Sequence, residues 1–202
     1  MLKRLLLMPL LLWCVMTHAA DSASSPTILV LGDSISAAYG MSLEEGWVAL
    51  LERRLAERTP PVTVVNASIS AETTGGALRR LPQLLVTHEP DVVLIELGGN
   101  DGLRGFPIPR LRDNLASLAT TAARSGASVV LVPMEILPNY GARYTASFRE
   151  SFPAVATDTG SLLAPFILDG DPSGLLFTVA NSAKDLGYYN EMCRDLGAEN
   201  AV

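Results

Sequence analysis

Short apolar runs rich in β-branched residues alternate along this chain with longer stretches in which apolar residues recur at helical spacing. The five runs are Thr27–Leu31, Val62–Val65, Asp91–Leu97, Ser128–Val132 and Leu162–Leu168. Strands that are apolar on both faces and are separated by amphipathic helices are typical of a parallel sheet with helices on either side. We therefore predict an α/β fold: a three-layer, flavodoxin-like arrangement around a five-stranded parallel sheet.

Four helical stretches connect these runs. Their predicted positions are Glu44–Arg58, a segment that begins at Gly75-Gly76, Pro109–Ala123 and Tyr144–Phe152. In the first, Trp47, Leu50, Leu51 and Leu55 follow the i, i+3, i+4, i+8 spacing of one helix face. Length and composition agree with one folded domain, because the 202 residues are 49% hydrophobic and only 18% charged.

The amino-terminal residues resemble a secretory signal rather than a part of the fold. Lys3 and Arg4 precede a twelve-residue apolar run that ends at Met16, and small residues follow up to Ala20. A membrane span needs about 20 apolar residues, so we predict a cleaved signal peptide over residues 1–20, no stable membrane span after cleavage, and a periplasmic or secreted protein. An uncleaved anchor is the less favoured alternative.

Charge and cysteine content argue against a nucleic-acid-binding protein and against a fold held by disulfides. Loss of Lys3 and Arg4 reduces the 15 basic residues to 13 against 21 acidic ones, so the net charge falls from −6 to −8. An acidic chain without a basic cluster is a poor partner for nucleic acid. Only Cys193 remains after cleavage, which excludes an intramolecular disulfide. We find no metal-binding cluster and no phosphate loop, and we expect no cofactor and a monomer.

Polar clusters follow the first three predicted strands, where ligands bind in sheets of this type. They are Gly32-Asp33-Ser34-Ile35-Ser36, the segment from Asn66 to Thr73, and Gly98-Gly99-Asn100-Asp101-Gly102. A serine on a tight strand-to-helix turn beside backbone N–H groups has the components needed for acyl transfer. We interpret Asp33 and Asp101 as residues that tie down their own turns, because Asp readily accepts hydrogen bonds from nearby backbone N–H groups.

These three clusters resemble the sequence blocks of the SGNH (GDSL-type) hydrolases, in particular the exported bacterial thioesterase I, arylesterase and lysophospholipase L1 group. The resemblance implies that Ser34 is the nucleophile and that the N–H groups of Ser34 and Ala71 and the side chain of Asn100 form the oxyanion hole. The family usually has Gly at the position of Ala71. If that position requires a positive φ, the methyl group costs about 1–2 kcal/mol. The loop Pro138–Gly141 is similar to a substrate-side loop of the family, and either lines an acyl groove or only forms a turn.

The Asp-x-x-His box, which in this family supplies the general base and its carboxylate, is absent after the fifth strand. The chain contains only His18, in the predicted signal, and His88, which precedes the third strand at the opposite edge of the sheet. We therefore assign no general base. Loss of the histidine from a serine triad reduces turnover about a million-fold, so we expect an impaired esterase or thioesterase acting on small-molecule acyl substrates. A catalytically silent acyl-binding protein or a truncated product is the alternative.

The family resemblance fades beyond Gly170. We therefore divide the chain into the signal (1–20), a hydrolase-like domain (26–170) and an atypical carboxyl-terminal segment (171–202). Our hypothesis is that this last segment arises from a shifted reading frame or a rearranged gene end, and a divergent carboxyl-terminal helix is the alternative.

Overall fold

The computed structural model describes residues 25–167. The predicted signal peptide and the segment 171–202 lie outside the described residues. Within the described part, five parallel strands form one sheet in the order β2-β1-β3-β4-β5. The strands are Thr27–Gly32 (β1), Thr63–Asn66 (β2), Val92–Glu96 (β3), Ser128–Leu131 (β4) and Leu162–Leu163 (β5). This order and direction confirm the predicted flavodoxin-like fold.

Six α-helices and two short 3-10 helices connect the strands within the described residues. The α-helices are Trp47–Ala56 (α1), Thr74–His88 (α2), Gly99–Leu103 (α3), Ile108–Arg124 (α4), Ala142–Arg149 (α5) and Ser151–Thr159 (α6). The 3-10 helices are Leu43–Glu45 and Pro138–Tyr140. Helices α2, α4 and α6 pack side by side, and α1 packs against β2. None of the helices formed by residues 25–167 combines the length and hydropathy of a bilayer-spanning segment.

The core lies on both faces of the central strands. Leu29, Val30 and Leu31 of β1 are fully buried, as is Val130 of β4. Because successive strand residues point to opposite faces, a strand buried along its whole length must be covered on both sides. The unbroken apolar runs in the sequence therefore reflect this double covering.

Two of the predicted helices are divided in the structure. The helix predicted over Glu44–Arg58 is interrupted at Gly46, whose backbone is extended (φ −63°, ψ 149°). The helix predicted over Tyr144–Phe152 is in fact the end of α5 and the start of α6, which meet at Glu150. Pro153 accounts for the second break, because it has no N–H to donate to the carbonyl of Arg149 and lies in the first turn of α6, where that N–H is not needed.

Smaller corrections concern the strands and one unpredicted helix. Strand β5 comprises only Leu162 and Leu163, whereas the prediction extended to Leu168, which lies outside the described residues. Helix α3 was not predicted, since its sequence Gly-Asn-Asp-Gly-Leu has poor helix formers and reads as a loop. It begins after Gly98, whose φ of +116° is a conformation that suits only glycine.

Candidate active site

The carboxyl ends of β1, β2 and β3 lie side by side and bring the three polar clusters to one edge of the sheet. Gly32 of β1 is paired with Glu96 of β3, and Val30 of β1 with Asn66 of β2. The chain leaves each strand directly into its cluster. The predicted convergence of the three clusters therefore follows from the strand register.

Ser34 lies on a tight turn that follows β1 and is half-buried. The N–H of Ala37 donates to the carbonyl of Asp33 at 2.9 Å, and the N–H of Tyr39 donates to the carbonyl of Ser34 at 3.0 Å. From β2, the side-chain amide of Asn66 donates to the carbonyl of Ser36 at 2.8 Å. The turn that carries Ser34 is thus fixed both by its own backbone and by the neighbouring strand.

Asp33 connects the Ser34 turn to Asn100. Its Oδ1 accepts a hydrogen bond from the N–H of Ile35 at 3.1 Å, which is the turn-tying contact predicted from the sequence. Its Oδ2 accepts a second bond from Nδ2 of Asn100 at 3.0 Å, which the sequence analysis did not predict. An amide nitrogen carries two hydrogens. The contact to Asp33 therefore orients Asn100 and leaves its second N–H for another acceptor.

Ala71 has a left-handed backbone conformation, with φ of +64°. Because φ is positive, the methyl group of Ala71 carries the backbone strain of about 1–2 kcal/mol that the sequence analysis made conditional on this conformation. The residue is exposed, and its N–H donates to no acceptor within the described residues. Arg104 links this loop to α3, because its guanidinium donates to the carbonyl of Ala71 at 3.4 Å and to that of Asn100 at 3.1 Å.

A second arginine holds the loop that carries Ala71 and leads into α2. Arg80 of α2 donates to the carbonyl of Ala67 at 2.6 Å and forms a 3.0 Å ion pair with Glu72. Both ends of the loop are thereby attached to α2. This attachment keeps the exposed N–H of Ala71 in a defined place.

The interpretation of Asp101 is wrong, because its carboxylate does not tie down its own turn. Oδ2 accepts from the N–H of Thr74 at 2.9 Å, and Oδ1 accepts from the hydroxyl of Thr74 at 2.6 Å. The first N–H groups of a helix have no partner within the helix. The buried Asp101 therefore satisfies the first turn of α2 rather than its own backbone.

Glu96, at the end of β3, is a site residue that the sequence analysis missed. It is fully buried, and its Oε2 accepts hydrogen bonds from the hydroxyl of Ser36 at 2.6 Å and from the N–H of Asp33 at 3.3 Å. Burial, followed by the nearby charge of Asp33, raises the pKa of Glu96 well above its ordinary value. Burial also raises the pKa of Asp33, although the N–H of Ile35 and the amide of Asn100 oppose this shift. The sequence signal that could have identified Glu96 is a single glutamate at the end of an apolar strand.

The structure places His88 away from these groups. It is the last residue of α2, and β3 begins four residues later, so His88 lies at the amino edge of the sheet, opposite Ser34. Within residues 25–167 no other histidine occurs. The described residues also contain no group of three or more His, Cys, Asp or Glu side chains placed to hold a metal ion.

Large apolar side chains are exposed around the edge that carries Ser34. Tyr39, Ile69, Leu103 and Leu137 follow the ends of β1, β2, β3 and β4, respectively, and are 37–74% exposed. The loop that contains Pro138–Tyr140 joins this edge, because the hydroxyl of Tyr140 donates to the carbonyl of Leu103 at 2.7 Å. An apolar surface at the mouth of a site favours an apolar ligand.

Comparison with known proteins places this arrangement among hydrolases. The sequence profile described as the GDSL-like Lipase/Acylhydrolase family matches residues 30–202. The chain is 50% identical over 150 residues to Esterase TesA of Pseudomonas aeruginosa, in an alignment that covers 74% of this chain and 75% of that protein. It is 40% identical over 162 residues to Thioesterase 1/protease 1/lysophospholipase L1 of Escherichia coli K12, which covers 80% of this chain and 76% of that protein.

The fold comparison agrees with the sequence comparison. A crystal structure of TesA superimposes with a TM-score of 0.79 at 44% identity, covering 85% of this chain and 99% of the other.

Proposed function

Since the chain belongs to the GDSL-like lipase/acylhydrolase family, we propose that it is a serine hydrolase in which Ser34 attacks the carbonyl carbon of acyl esters or thioesters. The observation that carries this proposal is the 3.0 Å hydrogen bond between Asn100 and Asp33, because it holds an amide donor beside the residue that precedes Ser34. An aligned donor next to a nucleophile is the requirement for stabilising an oxyanion.

The proposed reaction has two steps. Oγ of Ser34 loses its proton to hydroxide or buffer and bonds to the carbonyl carbon, and the carbonyl oxygen becomes an oxyanion. The exposed N–H of Ala71, the second N–H of Asn100 and the N–H of Ser34 donate to this oxygen. Collapse of the tetrahedral intermediate expels the alcohol or thiol, which takes up a proton, and leaves an acyl-Ser34 ester. Water then attacks the ester and releases the carboxylic acid.

The substrate class follows from the relatives and from the apolar edge. The two relatives are an esterase and a thioesterase/lysophospholipase by name. Tyr39, Ile69, Leu103 and Leu137 offer apolar contact to an acyl chain at the same edge as Ser34. A small-molecule acyl ester or thioester is therefore the substrate we propose.

Among residues 25–167 no histidine lies near Ser34, and we infer that this limits the rate of the reaction. His88 is the single histidine of residues 25–167 and lies at the opposite edge, and the triad box is absent from the sequence as given. We propose that the activity is strongly impaired and that the segment 171–202 is the product of a changed reading frame. Sequencing the gene and translating the other frames beyond the codon for Gly170 tests this directly, since recovery of an Asp-x-x-His box is the expected result.

We also propose export. The support is the charged, apolar and small-residue pattern of residues 1–20. Mass spectrometry of the protein recovered from a periplasmic extract should give a chain that starts near Asp21.

The test of the nucleophile uses hydrolysis of p-nitrophenyl acetate and labelling by a fluorophosphonate, which bonds to a reactive serine Oγ with loss of fluoride. We expect slow labelling of Ser34 that is abolished in Ser34→Ala. Ser128→Ala is the matched control, because Ser128 is an exposed serine at the amino end of β4. Equal hydrolysis by the wild type and Ser34→Ala would reject a serine mechanism and leave the silent acyl-binding protein.

A further inference from the structure

Glu96 stands out among the buried polar residues of the described part because the proposed reaction does not use it. It lies on β3, directly across from Gly32, the residue that ends β1 before the nucleophile turn. Its side chain is fully buried, and its Oε2 accepts from both the hydroxyl of Ser36 and the N–H of Asp33. These two donors lie on either side of Ser34 in the chain.

The space beneath the turn is closely filled. A Cβ placed on Gly32 would lie 2.5 Å from Oγ of Ser36 and 2.7 Å from Oε2 of Glu96, which real side chains do not tolerate. Only glycine at position 32 therefore allows the carboxyl group to reach both donors. The close approach indicates that this oxygen atom lies directly beneath the turn, which its own backbone bonds and Asn66 also hold.

The other oxygen of Glu96 defines the chemical form of the group. Oε1 is buried and has no hydrogen-bond partner within the described residues. A buried carboxylate oxygen without a partner costs much more free energy than a neutral one. The raised pKa of Glu96 also favours the neutral carboxyl group, because burial and the charge of Asp33 both disfavour ionisation. A neutral carboxyl group keeps Oε2 as an acceptor and places the proton on Oε1.

We propose that Glu96 is a positioning residue for the nucleophile: as a neutral acceptor beneath the turn, it fixes Ser34 in place by holding Ser36 and the N–H of Asp33. This inference deepens the proposed function and rests on Ser34 being the nucleophile. Glu96 does not touch the substrate. Its effect on the reaction is transmitted through the backbone from Asp33 to Ser36, and through the Asp33 carboxylate to Asn100.

The test compares three variants by two measurements. Glu96→Gln keeps a neutral acceptor of the same shape, Glu96→Ala removes it, and Ser36→Ala removes one of its two partners. Ser151→Ala is the matched control, because Ser151 is equally buried and hydrogen-bonded but lies on α6. The measurements are the rate of fluorophosphonate labelling per folded molecule and the hydrogen–deuterium exchange of the peptide that contains residues 33–37.

We expect Glu96→Gln to label within about threefold of the wild type, and Ser36→Ala and Glu96→Ala to label at least about tenfold more slowly, with faster exchange at 33–37. A tenfold change corresponds to about 1.4 kcal/mol. Ser151→Ala should lower stability without changing either measurement at the turn. If Glu96→Ala does not fold, Ser36→Ala and Glu96→Gln still decide the question.

Two results would overturn the inference: unchanged labelling and exchange in Ser36→Ala, or a loss in Glu96→Gln as large as that in Ser36→Ala, since the latter would mean that a charge is required. Failure of the proposed function looks different. In that case the wild type is not labelled at Ser34, while the exchange measurement still shows whether Glu96 holds the turn.

Discussion

Nδ2 of Asn100 donates to Oδ2 of Asp33 at 3.0 Å, across 67 positions of sequence. This bond joins the turn after β1 to the helix after β3. It fixes the direction of the remaining N–H of Asn100 relative to Ser34, which follows Asp33 in the chain.

Asp33→Asn should slow the labelling of Ser34 by about 10- to 100-fold. Asp33 accepts two hydrogen bonds, one from Ile35 and one from Asn100, with its two oxygens. An asparagine has one oxygen, so one of these donors loses its partner, and a hydrogen bond to a charged group contributes about 1.5–3 kcal/mol. Asn100→Ala removes the oxyanion donor itself and should cost about 10²- to 10³-fold. A rate in Asp33→Asn equal to that of the wild type would show that Asn100 is oriented by other contacts.

Ala71→Gly should stabilise the protein by up to about 1.6 kcal/mol. Relief of the left-handed strain stabilises the folded protein by about 1–2 kcal/mol. The greater conformational freedom of glycine in the unfolded chain reduces this gain by about 0.4–1 kcal/mol. The N–H that we assign to the oxyanion hole is retained, so labelling should be unchanged. Urea unfolding at pH 7 measures the difference.

Ala38 provides the control for this substitution. Its φ of +55° is also left-handed, but the residue is only 4% exposed, whereas Ala71 is exposed. Ala38→Gly therefore loses buried apolar contact together with the strain and should gain less stability than Ala71→Gly. Equal gains would mean that local packing does not matter at these two positions.

The sheet was predictable because its signal is local. The three central strands β1, β3 and β4, such as β1 with its unbroken run from Ile28 to Leu31, carry the apolar pattern of a strand covered on both sides. The divided helices were not predicted, because a break at Gly46 or at Glu150 depends on one residue and on its neighbours in space. Helix ends are decided by such short-range contacts.

The site was predictable in part. The sequence placed Ser34, Ala71 and Asn100 at one edge, because the order of parallel strands determines which loops meet there. Sequence reasoning could not find that Glu96 reaches Ser36, or that Asp101 reaches Thr74. Both contacts join residues that are far apart in the chain, and no spacing rule connects them.

Substitution of the exposed leucines should weaken the binding of long acyl chains. Leu103 and Leu137 are 43% and 37% exposed at the edge that carries Ser34. In a Leu103→Ser/Leu137→Ser variant, KM for p-nitrophenyl decanoate should rise about tenfold, while hydrolysis of p-nitrophenyl acetate is unchanged. Each buried CH₂ contributes about 0.8 kcal/mol, so the loss should grow with chain length.

Val86→Ser is the control for general surface effects, because Val86 is 74% exposed on α2 near the opposite edge of the sheet. It should leave both esters unaffected. A parallel loss for decanoate and acetate in the double variant would instead indicate a change in the site itself.

Glu96→Gln should make stability less sensitive to pH. The folded protein holds the proton of Glu96 more tightly than the unfolded chain does, because burial raises the pKa of this carboxyl group above the ordinary 4.5. The resulting stabilisation is complete below pH 4.5 and is lost as pH rises toward the raised pKa. The carboxylates that face this region, Asp33 and Asp101, remain in both proteins.

The measurement is the difference in urea midpoint between Glu96→Gln and the wild type at pH 5 and pH 8. We expect Glu96→Gln to gain on the wild type as pH rises. A difference that is constant across this range would show that Glu96 does not take up a proton on folding.

The rate of Ser34 labelling should rise about tenfold per pH unit from about pH 6 to pH 9. In a serine triad the rate levels off once the histidine is neutral, above a pKa of about 6.5. Here the single histidine of the described residues, His88, ends α2 at the opposite edge of the sheet, so we expect hydroxide or buffer to take the proton of Ser34. Added imidazole should then accelerate labelling of the wild type, while Ser34→Ala stays unlabelled with or without it. A plateau above pH 7 in the absence of imidazole would reveal a base near Ser34 and would contradict the proposed impairment.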